Sequence, residues 1–387
     1  DVDRLADVGA VGILGVVGVE RRGHPEPNLD DVHHIGRLRN ESEGRNNLDW
    51  EVTRSGEDVE ERFEFLFVRQ LAVNQQVGRF FKRGFGRKIV DAQVPRTLAE
   101  RATRWVLQDG LPSPLFGPAM KAGQAVRGLL PESLRAKVPV PEAAGVWPTR
   151  EHARKVLLLA GCVQPSMSPG INSATARVLD AIGIQTVVAP DAGCCGAVKF
   201  HLNDQDGGKA EMRANIDAWW PQVESGAVEA IVMNASGCGV TVKEYGHHLQ
   251  HDPQYADKAA RVSALTRDLS ELLPEIAPAL QGKLRRVPQG VIAFHPPCTL
   301  QHGQQLRGGV ETHLRALGFD VRVATNESHL CCGSAGTYSI LQPELSQRLK
   351  ANKLAALHDG APAIIPSANV GCITPVSYTP LQLPTIP

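Results

Sequence analysis

Eight cysteines, arranged in two sets of similar spacing, are the residues of this sequence best suited to chemistry. Each set contains two adjacent cysteines followed by a glycine, Gly196 in the first set and Gly333 in the second. Thiolates are soft ligands for zinc and iron–sulfur clusters, and free thiols also exchange with disulfides. The cysteines therefore indicate metal binding or redox chemistry. The two sets are Cys162, Cys194, Cys195 and Cys238, then Cys298, Cys331, Cys332 and Cys372.

The second half of the chain repeats itself with a period of about 136 residues. Each cysteine of the first set recurs in the second set at this distance, to within about three residues. The segment ARVLDAIGIQTVVAPDAGCCG also aligns with ETHLRALGFDVRVATNESHLCCG. Chance does not align all eight cysteines in this way, so the sequence predicts a duplicated domain.

Both copies show the pattern of a parallel α/β unit. Short apolar runs end in cysteine: KVLLLAGC, QTVVAPDAGCC and AIVMNASGC in the first copy, and VIAFHPPC, DVRVATNESHLCC and AIIPSANVGC in the second. Runs of this length and composition are typical of buried parallel strands. Helices are predicted between them, for example over residues 172–182, with Asn172 as the N-cap and Gly183 after the end. Because sites in such sheets form at the carboxyl ends of the strands, the four cysteines of each copy are expected to meet there.

Four kinds of role for these thiols follow from the residues alone. A single cysteine at a strand end is usually a small buried hydrophobe, but eight in matched positions are not explained in this way. A zinc site usually takes two cysteines separated by two residues, whereas neighbours in an extended segment point to opposite sides. An adjacent pair therefore favours a polynuclear iron–sulfur centre, and the following glycine allows a positive φ beside it. Zinc, metal-free thiol–disulfide chemistry and a structural role remain the alternatives.

Composition excludes several other classes of protein. The 387 residues include 41 Lys and Arg and 41 Asp and Glu, so net charge gives no reason to expect nucleic acid as a partner. The apolar run at residues 9–19 is too short to span a bilayer and follows acidic residues, so we do not expect a signal peptide there. We expect a cytoplasmic protein with reduced thiols. The sequence also lacks a dinucleotide-binding glycine motif, a phosphate-binding loop and a Ser-His-Asp signature.

The cysteine pattern resembles the CCG cysteine-rich domain, which occurs twice in heterodisulfide reductase and in lactate- and glycolate-oxidising complexes. Four segments of this chain are similar to the iron–sulfur subunit of bacterial glycolate oxidase, as is the predicted linker KIVDAQVPRTLAERATRWVLQ at residues 88–108. The resemblance covers roughly residues 88–375, about three quarters of the chain. The four segments are LLLAGCVQPSMSPGINSATARVLDAIGI, GCCGAVKFHLND, FHPPCTLQHGQQLRG and ANVGCITP.

This resemblance implies an electron-transfer subunit of glycolate dehydrogenase. All eight cysteines would be ligands of iron–sulfur clusters, most simply of the [4Fe–4S] type, and no catalytic residue is assigned. FAD would lie only on partner subunits, which oxidise glycolate to glyoxylate. Electrons would pass to a quinone-type acceptor, with the chain peripheral on the inner face of the cytoplasmic membrane and inactive alone. A heterodisulfide-reductase-like or lactate-oxidising subunit is the alternative, and a metal-free structural protein is a further one.

The sequence departs from the family pattern in two places. The fullest CCG motif ends in two cysteines separated by two residues, but here Ala235 and Asn369 occupy the first of those positions. The family also carries an N-terminal ferredoxin-like domain rich in cysteine, whereas residues 1–87 contain none. We therefore expect an atypical N-terminal segment that does not fold as in the family. The predicted organisation is residues 1–87 as this segment, 88–150 as a helical linker, 151–285 as the first CCG domain and 286–387 as the second.

Overall fold

Parallel strands whose side chains are buried on both faces form the centre of the first repeat. In the computed structural model of the protein, Val156 and Leu158 of the first strand pack on one side of the sheet, and Leu157 and Leu159 pack on the other. A sheet covered on both faces requires apolar residues at successive positions, as in the run VLLL. The structure describes residues 93, 95–135, 138–284, 290–359 and 361–377.

Strands and helices alternate along the two repeats, after a segment that is helical. The strands are β1 (Arg154–Leu158), β2 (Ile184–Val187), β3 (Ala230–Met233), β4 (Thr266–Asp268), β5 (Ile292–Phe294) and β6 (Val321–Val323). The helices before β3 are α1 (Leu98–Trp105), α2 (Phe116–Ala125), α3 (Glu132–Arg135), α4 (Gln164–Met167), α5 (Gly170–Ala181), α6 (Ala197–His201) and α7 (Gln205–Glu224). Those after β3 are α8 (Ser236–Lys243), α9 (Tyr245–His248), α10 (Ala256–Leu265), α11 (Leu273–Leu280), α12 (Gly309–Ala316), α13 (Tyr338–Leu341), α14 (Pro343–Leu357) and α15 (Val370–Ser377). Short π-helical segments cover Val106–Gly110 and Thr299–Gly303, and 3-10 turns cover Arg127–Leu129 and Leu269–Leu272.

The first repeat contains a four-stranded parallel sheet in the order β2-β1-β3-β4. Arg154 pairs with Ile184 between β1 and β2, and Val156 pairs with Ala230 between β1 and β3. All carboxyl ends therefore lie at one edge of the sheet, as the sequence predicted. The strand β4 was not predicted, because it has only three residues and Arg267 at its centre is exposed.

The second repeat has the same order with a shorter sheet. β5 pairs with β6 in parallel, and isolated bridges join Ile292 to Ile364 and His295 to Ser367 on its other side. The segment predicted as a third strand thus makes only these bridges, and Pro366 within it has no N–H for a ladder. Mixed α/β structure with a parallel sheet confirms the predicted fold class.

One hydrophobic cluster joins the two repeats. Val156 and Ile171 of the first repeat belong to the same buried cluster as Phe294 and Leu314 of the second. A backbone hydrogen bond also joins the two repeats, since the Ser236 amide donates to the Ala368 carbonyl at 2.9 Å. Fully burying an aliphatic or aromatic side chain contributes about 1.5–3 kcal/mol, so this shared cluster is a substantial part of the stability of both repeats.

Helix α5 begins at a different residue from the one predicted. It begins at Gly170 with Pro169 as the N-cap residue, and Gly183 follows its end with φ 83° as predicted. Asn172 is therefore not a cap but lies inside the helix. Its side chain donates to the Ala160 carbonyl at 3.1 Å and accepts from the side-chain amide of Asn234 at 2.9 Å. A tertiary network has replaced the local capping bond that the sequence suggested.

The predicted domain boundaries are not decided by the structure. Residues 1–87 lie outside the described residues, and the described part of the predicted linker, 88–150, contains α1, α2 and α3. The boundary between residues 285 and 286 also falls outside the described residues. The proposed division of the second half into residues 151–285 and 286–387 stays a prediction.

We predict that Gly196→Ala destabilises the protein more than Gly183→Ala does. Both glycines have a positive φ, which costs another residue about 1–2 kcal/mol. At Gly196 an added Cβ would also lie 2.6 Å from the Gly208 carbonyl oxygen, whereas at Gly183 it would meet nothing within 4 Å. Urea denaturation of the two variants measures the difference. Equal losses of unfolding free energy would contradict the close packing of the Cys-Cys-Gly loop on α7.

Candidate metal centres

Three loops bring the first cysteine set together at the carboxyl edge of its sheet. Cys162 follows β1, Cys194 and Cys195 follow β2, and Cys238 lies in the first turn of α8 after β3. The Cys162 thiol hydrogen-bonds Cys194, and Cys195 is hydrogen-bonded to both Cys194 and Cys238. The four sulfurs therefore form one connected group, here called the first quartet.

The second cysteine set is arranged in the same way. Cys298 follows β5, Cys331 and Cys332 follow β6, and Cys372 lies in α15. Cys298 is hydrogen-bonded to Cys331, and Cys332 is hydrogen-bonded to Cys331 and Cys372. These four sulfurs are the second quartet, and all eight cysteines are free thiols.

The two Cys-Cys-Gly loops have nearly the same backbone geometry. Gly196 has φ 89° and Gly333 has φ 82°, a region that other residues rarely adopt. In each loop the glycine N–H donates to the sulfur of the first cysteine of the pair, Cys194 or Cys331, at 3.4 Å. In each quartet the turn thus points a backbone N–H dipole at one sulfur. It also fixes the position of the adjacent cysteine pair.

The first cysteine of each adjacent pair has a strongly lowered pKa. Hydrogen bonds from the Cys162 and Cys195 thiols lower the pKa of Cys194 to about 3 and raise the pKa of both donors. In the second quartet the equivalent bonds, from Cys298 first and then Cys332, lower the pKa of Cys331 to about 2. A thiolate surrounded by thiols that share their protons with it is a donor set in which a cation can displace those protons.

These donors fit an iron–sulfur cluster. Each quartet offers four soft sulfurs, the number that holds one cluster, and the adjacent pair supplies two of them from a single turn. The predicted cysteines are brought together as two groups of four.

A buried polar network that the sequence analysis missed supports the first quartet. The Asn215 side chain donates to the Cys194 carbonyl at 2.6 Å and to the Tyr245 hydroxyl at 3.1 Å, and it accepts from the Gly193 amide at 2.8 Å. The Tyr245 hydroxyl donates to the Cys195 carbonyl at 2.9 Å. These bonds hold the backbone of Cys194 and Cys195 in place. The available signal was the alignment of Asn215 with Asn352 in the repeat.

Two polar residues lie beside the second quartet where the first repeat has apolar ones. His295 and Lys353 are buried beside it, at positions that the repeat aligns with Leu159 and Ile216. The Lys353 ammonium donates to the backbone carbonyls of Glu327 and Ser328, at 3.1 and 3.0 Å. Burial, and then the charge of Lys353, lower the pKa of His295 to about 3, so its imidazole is neutral.

Asn369 connects the two repeats at the quartets. Its side-chain oxygen accepts from the Gly237 amide at 3.4 Å, next to Cys238 of the first quartet. Its side-chain nitrogen donates to the Cys372 sulfur of the second quartet at 3.6 Å. The residue that replaces a cysteine of the fullest CCG motif is therefore a bridge between the quartets.

Comparison with known proteins agrees with this architecture. Residues 156–243 and 292–376 match the family model of the CCG cysteine-rich domain. Over 294 residues the chain is 50% identical to the glycolate oxidase iron-sulfur subunit of Escherichia coli, covering 75% of this chain and 70% of that protein. The chain belongs to this family of glycolate oxidase iron–sulfur subunits. The resemblance inferred from the sequence is confirmed.

More distant relatives carry related names. The chain is 30% identical over 220 residues to the probable glycolate oxidase iron-sulfur subunit of Bacillus subtilis, covering 57% of this chain and 48% of that protein. It is 24% identical over 231 residues to lactate utilization protein A of Bacillus licheniformis, covering 57% of this chain and 89% of that protein.

Within the residues that the structure describes, no helix is both long and apolar enough to pass through a bilayer.

We predict that Tyr245→Phe lowers the free energy of unfolding by about 1–3 kcal/mol, because it leaves the buried Cys195 carbonyl without its donor. Tyr255→Phe is the matched control, since the Tyr255 hydroxyl donates to Asp217 at an exposed position. The Tyr255→Phe variant is expected to lose no more than about 0.5 kcal/mol of unfolding free energy. Denaturant unfolding of both variants tests this difference, and a neutral Tyr245→Phe would refute the supporting role of the network.

Proposed function

We propose that this chain is the electron-transfer subunit of a glycolate-oxidising complex and that its two quartets each hold one iron–sulfur cluster. The observation that carries the proposal is the meeting of four thiols in each of two repeats. The 50% identity to an iron–sulfur subunit of glycolate oxidase supports the same assignment. The chain would act as part of an oxidoreductase and be inactive alone.

The cysteines of each quartet would act as ligands in their deprotonated form. Cys194 and Cys331 already favour the thiolate. The thiols with a raised pKa, Cys162, Cys195, Cys298 and Cys332, would lose their protons when iron is taken up. A bound [4Fe–4S] cluster supplies storage and relay of single electrons. Burial of Cys195 and Cys332 keeps water from the inner side of each quartet.

The organic reaction would take place on partner chains. Two-electron oxidation of glycolate to glyoxylate requires an acceptor such as a flavin, and this sequence has no motif of a dinucleotide site. We propose flavin-binding subunits that carry FAD as partners and a quinone-type compound as the final acceptor. Such an acceptor would place the complex at the inner face of the cytoplasmic membrane.

A lactate-oxidising complex is the second candidate, favoured by the similarity to lactate utilization protein A. The two candidates differ in the substrate of the partner chain. With its flavin-binding partner present, we predict that the iron-loaded chain is reduced when glycolate is added and not when lactate is added, measured as bleaching of visible absorption. Reduction by lactate alone would reverse the choice.

We predict that Cys195→Ser and Cys332→Ser each remove about half of the iron and sulfide that the wild-type chain binds after anaerobic reconstitution. Each substitution takes a ligand from only one quartet, so each variant is the control for the other. The double variant is expected to bind little iron. Chemical iron and sulfide analysis, with EPR of the reduced protein, provides the measurement.

Two outcomes of that experiment would contradict the cluster assignment. Iron content that does not change in either single variant would show that these cysteines are not ligands. A wild-type chain that takes up zinc but no iron and sulfide would contradict the iron–sulfur function itself.

A further inference from the structure

A histidine lies within the second quartet, at the end of β5. One ligand atom of His295 and the sulfurs of Cys332 and Cys372 all lie within 4.8 Å of one another. The His295 side chain is only 1% exposed, so solvent does not reach it. These three residues are close enough together to share one metal ion.

The imidazole of His295 has no partner that explains its burial. Neither ring nitrogen makes a hydrogen bond to any residue that the structure describes, although both are buried. Buried polar atoms without partners are rare in folded proteins because they have lost water without replacement. The backbone, in contrast, is held firmly, since the His295 amide donates to the Pro366 carbonyl at 2.9 Å and two prolines follow.

The first repeat shows that the fold does not need an imidazole at this position. The residue aligned with His295 is Leu159, which packs in the hydrophobic cluster on one face of the sheet. Leucine therefore satisfies the same place in the same architecture. The presence of His295 therefore calls for an explanation that is specific to the second quartet. Metal binding is such an explanation, because a ring nitrogen without a hydrogen-bond partner is free to bind a metal ion.

We propose that His295 is a ligand of the iron–sulfur centre in the second repeat, alongside the cysteines of the second quartet. This rests on the cluster assignment made under Proposed function. The two centres then differ, since the first has thiolates alone and the second has thiolates and a neutral imidazole. Imidazole in place of thiolate raises the reduction potential of an iron–sulfur centre, so the second centre has a higher potential with His295 than it would have with a cysteine at this position.

The test uses the full chain with Cys195→Ser, which removes the first centre and leaves the signal of the second. The protein is reconstituted anaerobically with iron and sulfide, once with natural histidine and once with [15N]histidine. Pulsed EPR of the paramagnetic state is expected to show a nitrogen coupling that changes with the label. His295→Leu, which installs the residue of the first repeat, is expected to abolish this coupling.

Two further variants serve as controls for the histidine coupling. His302→Leu is the matched control, because His302 is exposed and bonds the His329 carbonyl, so the coupling should persist. His295→Cys supplies a thiolate in place of the imidazole, and we expect it to keep the iron, lose the coupling and lower the midpoint potential.

The outcomes separate the two proposals. A second repeat loaded with iron but without histidine coupling would overturn the ligand role of His295 and leave the electron-transfer function standing. Coupling that survives in His295→Leu would also overturn it. A chain that binds no iron in either repeat would overturn both proposals.

Discussion

Four sulfur atoms from three separate loops must reach one another, and most of the structure follows from this constraint. Parallel strands have their carboxyl ends at one edge, which is why the cysteines come after strands, or for Cys372 after the bridged segment 364–367, rather than before them. Both faces of the first sheet are covered, so the strands cannot shift without exposing apolar side chains. The adjacent pair then needs a sharp turn, and Gly196 and Gly333 provide it with positive φ. The quartets are therefore positioned by the sheet and shaped by the glycines.

The sequence predicted those features that recur in both copies. Cysteine spacing, the positive φ after each pair and the parallel order of the strands depend on local patterns that appear twice. Features that depend on tertiary partners were wrong or missed. Asn172 has the residue type of a helix cap but bonds residues distant in the chain, and Asn215 sits inside a helix where no local pattern shows that its amide supports Cys194. Pro366 shortened a strand that its apolar neighbours favoured.

Duplication gave the two quartets the same backbone, and substitution around them made their surroundings different. Lys353 is the clearest case, because its repeat counterpart is Ile216, a residue of the hydrophobic core. A buried ammonium is costly unless negative charge lies near it, and the sulfurs of the second quartet are that charge. With a cluster held there, as proposed, the Lys353 ammonium would also stabilise the reduced state. The charge of Lys353 would therefore favour reduction of a centre in the second repeat relative to one in the first, where Ile216 takes its place.

Asn369 links the two repeats beside the quartets. An amide side chain is a dipole with a donor at one end and an acceptor at the other, and here the two ends touch different repeats. The donor end stabilises negative charge on the Cys372 sulfur, while the acceptor end holds the backbone beside Cys238. A cysteine at this position would add a further thiolate to the second quartet but could not reach both repeats with two polar ends. The departure from the fullest CCG motif thus places a hydrogen-bonded link between the two quartets where a fifth sulfur would otherwise lie in one of them.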